Sequence, residues 1–126
     1  MNNKKLGTAF EREVVDLLSQ KGYWVHFITP NERGSQPFDI IASKNNFPLA
    51  ADCKTSATKL FNISRLEENQ IMAFELWHKT GNKYACVFVK YKRKIYEIPY
   101  RMLKGLTKIN LEECENFVIY ESTCQQ

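Results

Sequence analysis

The chain has 126 residues, of which 44% are hydrophobic and 25% are charged, and its formal net charge is +4. These proportions are typical of a globular protein and exclude a fibrous or intrinsically disordered chain. No apolar stretch approaches the roughly 18–20 residues of a membrane span, so we expect one cytoplasmic domain over residues 1–126. The positive charge by itself only weakly favours a polyanionic partner.

The cysteines and histidines do not predict a zinc site. The four cysteines are scattered without a CxxC pair, and His26 and His78 lack the spacing that would complete a set of zinc ligands. We therefore expect reduced thiols.

The first pattern in the chain is that of an amphipathic helix. Thr8 is a candidate N-cap with Glu11 as its capping-box partner, and apolar residues then recur at helical spacing until Gly22. Residues 23–28 are aromatic and β-branched and predict a strand. The polar segment TPNERGSQP that follows predicts a loop suited to holding a ligand.

Residues 37–54, with the sequence PFDIIASKNNFPLAADCK, predict a β-hairpin. Asn45 and Asn46 tolerate the positive φ angles that a two-residue turn requires. Ser64 and Glu67 then form a capping-box pattern before a second helix, which Gly81 ends.

The rest of the chain predicts strands at 84–91 and 95–98, short helices at 100–106 and 111–114, and a last strand at 117–120. The order of the elements predicts a mixed α/β fold with an αβββαβ core, in which helices flank a mixed central sheet. The parallel crossover through the second helix should be right-handed. The turn between the strands at 84–91 and 95–98 is basic, and we interpret it as a solvated hairpin tip.

Two aspartates and a lysine stand at the ends of the hairpin arms, where apolar residues would be ordinary. With the turn at the two asparagines, counting outward places Asp39 opposite Asp52, with their Cβ atoms about 4.5–5.5 Å apart. Alternation places Lys54 on the face of Asp52 and turns Cys53 towards the apolar core. Two half-buried carboxylates repel each other, and one ammonium does not neutralise both. We therefore predict a site for Mg²⁺ or Mn²⁺.

A third carboxylate could come from the first helix. Glu11 lies at the edge of the apolar stripe, and Glu13 is also near an edge, so periodicity does not choose between them. Glu11 also has a competing interpretation as a capping-box residue.

Acids, a metal and a lysine beside basic residues suit the hydrolysis of a phosphodiester. The metal would bind the scissile phosphate and lower the pKa of a bound water, and the lysine would stabilise the charge that develops on phosphorus. The competing interpretation is a surface hairpin with an ordinary Asp-Lys pair.

Four stretches carry a resemblance to a known family: GTAFEREVVDLLSQKGYWV, GSQPFDIIA, ADCKTS and NISRLEENQIMAFELWHKTGNKYACVFVKY. They resemble the Holliday-junction resolvases of the Asp/Glu-x-Lys nuclease superfamily, both the archaeal type and the firmicute recombination-U type. The resemblance covers about residues 4–104, which we take as the core of the nuclease domain, with 105–126 as a short C-terminal extension. It implies a restriction-endonuclease-like fold.

The resemblance also implies site residues. The catalytic set would be Glu11, Asp39, Asp52 and Lys54. The metal, Mg²⁺ with Mn²⁺ as a substitute, would be held by the three acids of that set and by the backbone carbonyl of Cys53. The predicted DNA contacts are Lys4, Lys5, Arg12, Arg33, Ser35 and Gln70.

The chain departs from the family pattern in two places. Asp52 stands where most members have glutamate, which is longer by a methylene and could set a different metal preference. Residues 55–63 do not encode the protruding stalk of the recombination-U type.

The family acts as homodimers, in which each subunit cuts one of two opposed strands and leaves 5′-phosphate ends. The sequence itself supports a homodimer only through a surplus of apolar residues that is more typical of core: Phe61, Ile63, Met72, Phe74, Leu76 and Trp77.

The leading hypothesis is therefore a Mg²⁺-dependent endodeoxyribonuclease selective for four-way DNA junctions. It would act at the nucleoid, in a cell or for a resident phage, with no organic cofactor and no membrane partner. One alternative is another restriction-like, repair or mobile-element nuclease on the same fold. The other is a DNA-binding domain that has lost catalysis.

Overall fold

A computed structural model describes residues 9–29 and 36–123. The predicted N-cap and four predicted DNA contacts lie outside the described residues: Thr8, Lys4, Lys5, Arg33 and Ser35. Among the described helices, none combines the length and the apolar character needed to cross a membrane.

The described elements follow the predicted order, with two short strands added. The α-helices are α1 (Ala9–Gln20), α2 (Glu68–Lys79) and α3 (Tyr100–Leu103). The strands are β1 (Trp24–Phe27), β2 (Ile40–Lys44), β3 (Phe47–Ser56), β4 (Leu60–Asn62), β5 (Tyr84–Tyr91), β6 (Lys94–Pro99), β7 (Lys108–Asn110) and β8 (Val118–Glu121). Short 3₁₀ turns cover Ile63–Arg65, Leu111–Glu113 and Glu115–Phe117.

The predicted mixed sheet is confirmed. Six strands pair in the order β1-β2-β3-β5-β6-β8, and β3 and β5 are parallel while the other neighbours are antiparallel. Strand β8, from the predicted C-terminal extension, forms one edge of this sheet. Strands β4 and β7 form a separate two-stranded sheet. The crossover from β3 to β5 passes through α2, and its right-handedness stays a prediction.

The hairpin of β2 and β3 has the predicted turn and register. Asn45 and Asn46 have φ angles of 53° and 62°. The asparagines are suited to this left-handed region because their short polar side chains tolerate it. Lys44 pairs with Phe47 and Ile40 with Ala51, and the paired register ends there. Asp39 comes directly before it, and its amide donates to the carbonyl of Ala51, one residue short of Asp52.

Each face of the sheet has its own apolar core. Phe10, Val14 and Leu18 of α1 form the core of one face, and Phe74 of α2 belongs to that of the other. Along β3, Ala50 contributes to the α2 core, whereas Ala51 and Cys53 belong to the α1 core. Because side chains alternate, Asp52 and Lys54 are assigned to the α2 face. The predicted packing role of Cys53 is thereby confirmed.

The start of α2 differs from the prediction. Ser64 lies in a 3₁₀ turn, and the N-cap is Glu67, whose amide donates to Gln70 Oε1 at 3.0 Å. The helix begins late because the preceding chain is held elsewhere: β4 pairs with β7, and the Ile63 amide donates to the Thr107 carbonyl at 2.9 Å. Trp77 Nε1 donates to the Tyr84 carbonyl at 2.8 Å and so ties the end of α2 to β5.

Candidate active site

Asp39 lies directly before β2, and its backbone and side chain are both fixed. Its amide donates to the Ala51 carbonyl at 3.0 Å, and its carbonyl accepts from the Ile28 amide at 2.8 Å. Its carboxylate Oδ2 accepts from the Cys53 amide at 2.8 Å. Burial raises the pKa of this carboxyl, while the Cys53 amide opposes the rise. The hairpin therefore presents Asp39 in one defined position.

Asp52 is the most unusual residue of the fold. Asp52 is 0% exposed, and neither carboxyl oxygen makes a hydrogen bond of good geometry within the described residues, although the Asp39 backbone is close enough to lower its pKa. Burial, reinforced by repulsion from Asp39, raises its pKa to about 8. A buried carboxyl without a partner costs free energy, so it normally persists only where something else compensates it.

Lys54 is the positively charged residue beside Asp39 and Asp52. It attracts both carboxylates and so lowers the pKa of Asp39 and of Asp52, against the larger effect of burial. It also lines a cleft of about 510 Å³ that reaches the N-terminal part of α1. The structure thus brings Asp39, Asp52 and Lys54 together, as the hairpin register predicted.

Glu11 lies in the first turn of α1, on the other side of the cleft from the hairpin. It lines the same cleft as Lys54, and its charge adds to the burial that raises the pKa of the Cys53 thiol well above its usual value. Within residues 9–29 and 36–123, no three histidine, cysteine or acidic side chains form a metal-binding group. Glu11, Asp39 and Asp52 do not form such a group among the described residues, and their binding of one ion stays a prediction. Helix α1 packs against the Cys53 face of β3, and Glu11 reaches the cleft that Lys54 lines.

Glu13, the alternative third acid, is already engaged. Its Oε1 accepts from Lys90 Nζ at 2.6 Å across the same cleft. Glu13 is therefore held in an ion pair with a residue of β5.

The N-terminus of α2 borders the cluster. Glu67 repels Asp52 and contributes to its raised pKa. Gln70 is 8% exposed, and its Oε1 accepts from the Glu67 amide, so this predicted DNA contact is a largely buried residue of the helix start. Arg12 is exposed on α1.

Two residues near the site were missed from the sequence. Gln36 donates from Nε2 to Asp39 Oδ1 at 3.4 Å, and its buried Oε1 lacks a partner among the described residues. Arg65 lines the cleft beside Lys54. Gln36 could have been noticed because it stands three residues before Asp39, but the position of Arg65 depends on the 3₁₀ turn.

The basic turn after β5 is largely neutralised. Lys90 pairs with Glu13, Lys92 with Glu112 at 4.0 Å, and Lys94 with Glu115 at 2.8 Å. These pairs agree with the interpretation of a solvated hairpin tip.

The donor set fits an oxygen-preferring cation. Asp52 offers two buried oxygens without partners, Asp39 stands beside it, and the pKa of each is raised by burial. A divalent cation would supply the positive charge that this pair lacks, and carboxylate oxygens are the ligands that Mg²⁺ and Mn²⁺ prefer.

Comparison with known proteins identifies the family. The family model described as archaeal Holliday junction resolvase (Hjc) matches residues 2–126. The chain belongs to the Hjc family. The Hjc match includes residues 105–126, beyond the 4–104 of the sequence resemblance, which agrees with the incorporation of β8 into the main sheet.

Two individual proteins are similar to this Hjc-family chain. The crossover junction endodeoxyribonuclease Hjc of Methanocaldococcus jannaschii is 32% identical over 68 residues, which is 54% of this chain and 48% of that protein. The alignment thus spans about half the length of that curated relative. The structure of Archaeoglobus fulgidus Hjc, a Holliday junction resolvase, superimposes with a TM-score of 0.66 at 23% identity, over 88% of this chain and 91% of that chain. This likeness confirms the restriction-endonuclease-like fold.

Proposed function

We propose that this protein is a divalent-metal-dependent endodeoxyribonuclease that cuts four-way DNA junctions. The observation that carries the proposal is the fully buried Asp52, unpartnered within the described residues, beside Asp39 and Lys54 in a chain of the Hjc family. The names of the relatives in M. jannaschii and A. fulgidus support the same substrate class. An enzyme of this kind would act at the nucleoid in the cytoplasm.

Asp39, Asp52 and the Cys53 carbonyl are the proposed ligands of the metal, which is Mg²⁺ with Mn²⁺ as a substitute. When bound, such an ion polarises the scissile phosphate and lowers the pKa of water. Glu11 would join the set from the α1 side, because it borders the cleft that Lys54 also lines.

The protein's own groups have distinct roles in the proposed reaction. The Cys53 amide holds the Asp39 carboxylate in one orientation, which fixes that ligand before DNA arrives. The Lys54 ammonium stabilises the negative charge that builds on the phosphate oxygens as the phosphodiester bond breaks. The sheet and α2 exclude water from Asp52, so its charge acts in a medium of low dielectric constant.

The proposed DNA contacts surround this centre. We assign phosphate contacts to Arg12 on α1 and to four residues outside the described ranges: Lys4, Lys5, Arg33 and Ser35. Gln70 would contribute by fixing the N-terminus of α2 beside Asp52.

We further propose that two copies act together. A junction has to be cut in two opposed strands, and one chain carries one cleavage centre. Met72 and Leu76 on α2 are 63% and 59% exposed and lie one helical turn apart beside a groove of about 890 Å³. A second copy of the chain is the partner that would cover this apolar face.

A cleavage assay tests the function. Purified protein with Mg²⁺ should nick a synthetic four-way junction much faster than a linear duplex of the same sequence, and a chelator should stop the reaction. Equal cutting of both substrates would remove the selectivity claim, and discrete fragments from plasmid DNA would favour a restriction-like nuclease. Junction binding without cleavage at any Mg²⁺ or Mn²⁺ concentration would favour a non-catalytic DNA-binding domain.

A further inference from the structure

We propose that Arg65 binds a backbone phosphate of the DNA strand beside the cleavage centre. This assignment rests on the proposed function and adds a substrate contact to it. Arg65 lies in the 3₁₀ turn between β4 and α2, and it lines the cleft that Lys54 also lines.

Two contacts fix the guanidinium of Arg65. One nitrogen, Nη2, donates to the Thr55 carbonyl at 3.0 Å, and the group lies 5.6 Å from the centroid of the Phe61 ring. Thr55 directly follows Lys54 on β3, and its backbone lies three residue steps, about 10 Å, along the strand from that of Asp52. Phe61 is fully buried, which makes the ring a rigid support.

No ion pair within the described residues engages Arg65, although Glu11 and Glu13 line the same cleft. Lys90, on the strand beside Thr55, is paired with Glu13. One of the five guanidinium donors is used by the Thr55 carbonyl. The cleft therefore holds a tethered cation with donors to spare next to the ammonium of Lys54.

The ligand that matches these features is a phosphate diester of DNA. A guanidinium presents a planar fork of donors that fits phosphate oxygens, and its tethering reduces the entropy lost on binding. Because Arg65 lies beside Lys54, the phosphate that it binds would be close to the scissile phosphate. Arg65 would thus position the DNA strand for cleavage without taking part in the reaction itself.

Junction affinity at several salt concentrations tests this assignment, with divalent ions removed so that no cleavage occurs. Arg65→Met keeps a long apolar side chain beside Phe61, and Arg65→Gln keeps a polar side chain without the charge. Both variants should bind a four-way junction about tenfold more weakly than the wild type. The slope of log affinity against log salt should become shallower by about 0.9 per bound chain, because one phosphate contact is lost. Arg65→Lys should retain the slope while losing part of the affinity.

Arg93→Met is the matched control, because Arg93 is exposed at the tip of the β5–β6 hairpin and its removal changes the net charge equally. It should leave affinity and slope near the wild-type values. Wild-type affinity and slope in both Arg65 variants would overturn the assignment, as would an equal loss in Arg93→Met. If the wild type itself does not bind a junction, the proposed function fails, and this outcome is distinct from a failure confined to Arg65. Should Arg65→Met not fold, Arg65→Gln gives the same comparison.

Discussion

Asp52 is held in a position that destabilises the metal-free fold. Its pKa is raised from 3.8 to about 8, so at neutral pH the folded chain keeps a proton that the unfolded chain releases. Folding is then penalised progressively as pH rises from about 4 to about 8, by up to several kcal/mol, and the penalty is constant above that range. Asp39, whose pKa is also raised, acts in the same direction. Such a penalty is expected where a site is built for a charged ligand.

Asp52→Asn should therefore flatten the pH dependence of stability. Without metal, the melting temperature of the wild type should fall between pH 5 and pH 8, and the fall should be clearly smaller in the variant. The exposed Asp16 of α1 supplies a control, since Asp16→Asn should leave the wild-type dependence intact. Identical pH profiles for wild type and Asp52→Asn, measured by thermal denaturation, would contradict this account.

Binding of Mg²⁺ at pH 7 should expel the proton of Asp52. Because that carboxyl is mostly protonated at neutral pH and a metal requires the carboxylate, about one proton should be released per ion bound. Calorimetric titrations in buffers of different ionisation enthalpy measure this number directly. Binding of the ion without proton release, or unchanged binding in Asp52→Asn, would show that this carboxyl is not a ligand.

The pairing of Asp39 with Asp52 could be predicted because it depends on local geometry. A two-residue turn fixes the register of its hairpin, and alternation then fixes the face of each side chain. The relation of Glu11 to that pair could not be predicted in the same way. It depends on which face of the sheet α1 packs against, and helical periodicity does not contain that information.

The second helix illustrates how an element can position a site without supplying chemistry. Its start is fixed by the bond from the Glu67 amide to Gln70 Oε1, and its end by the bond from Trp77 to the Tyr84 carbonyl. Glu67 lies close enough to Asp52 to affect its pKa. A substitution at the start of α2 should therefore change both the stability of the fold and the surroundings of Asp52.

Gln70→Ala should lower the free energy of unfolding by about 1 kcal/mol, because the Glu67 amide loses its acceptor. Gln70→Glu keeps an oxygen at the same position, and its charge is favourable in the first turn of a helix but is opposed by burial and by Glu67, so the variant should be less destabilised than Gln70→Ala. Chemical denaturation of the two variants separates these outcomes. Equal destabilisation by both substitutions would mean that the oxygen that accepts from the Glu67 amide does not stabilise the fold.

The helices and the strands of the main sheet were predicted, and the two strands of the small sheet were missed. Strand β5 has the predicted bounds, and α1 has the predicted apolar stripe. Strands β4 and β7 have three residues each, too few for alternation to be recognised, and they pair across a long stretch of sequence. That pairing is also what delayed the start of α2 and placed Arg65 in the cleft.

For the whole molecule, the exposed face of α2 is where we expect the second copy. Met72→Glu and Leu76→Glu should convert a dimer into a monomer while leaving the fold intact, because both side chains are largely exposed in the isolated chain. Trp24→Glu is the control, since Trp24 is similarly exposed but lies on the β1 edge of the sheet. Sedimentation velocity would show the change, and a wild-type chain that is monomeric at all concentrations would rule out this interface.

The central claim is that Asp39, Asp52 and Lys54 form a metal-dependent centre for cutting junction DNA. The most direct test compares cleavage and binding of one four-way junction by the wild type and by Asp52→Asn. The variant should lose Mg²⁺-dependent cleavage yet bind the junction, without divalent ions, about as tightly as the wild type, because the Asp52 carboxyl is fully buried and mostly protonated at neutral pH. Cleavage by Asp52→Asn at the wild-type rate would contradict the central claim.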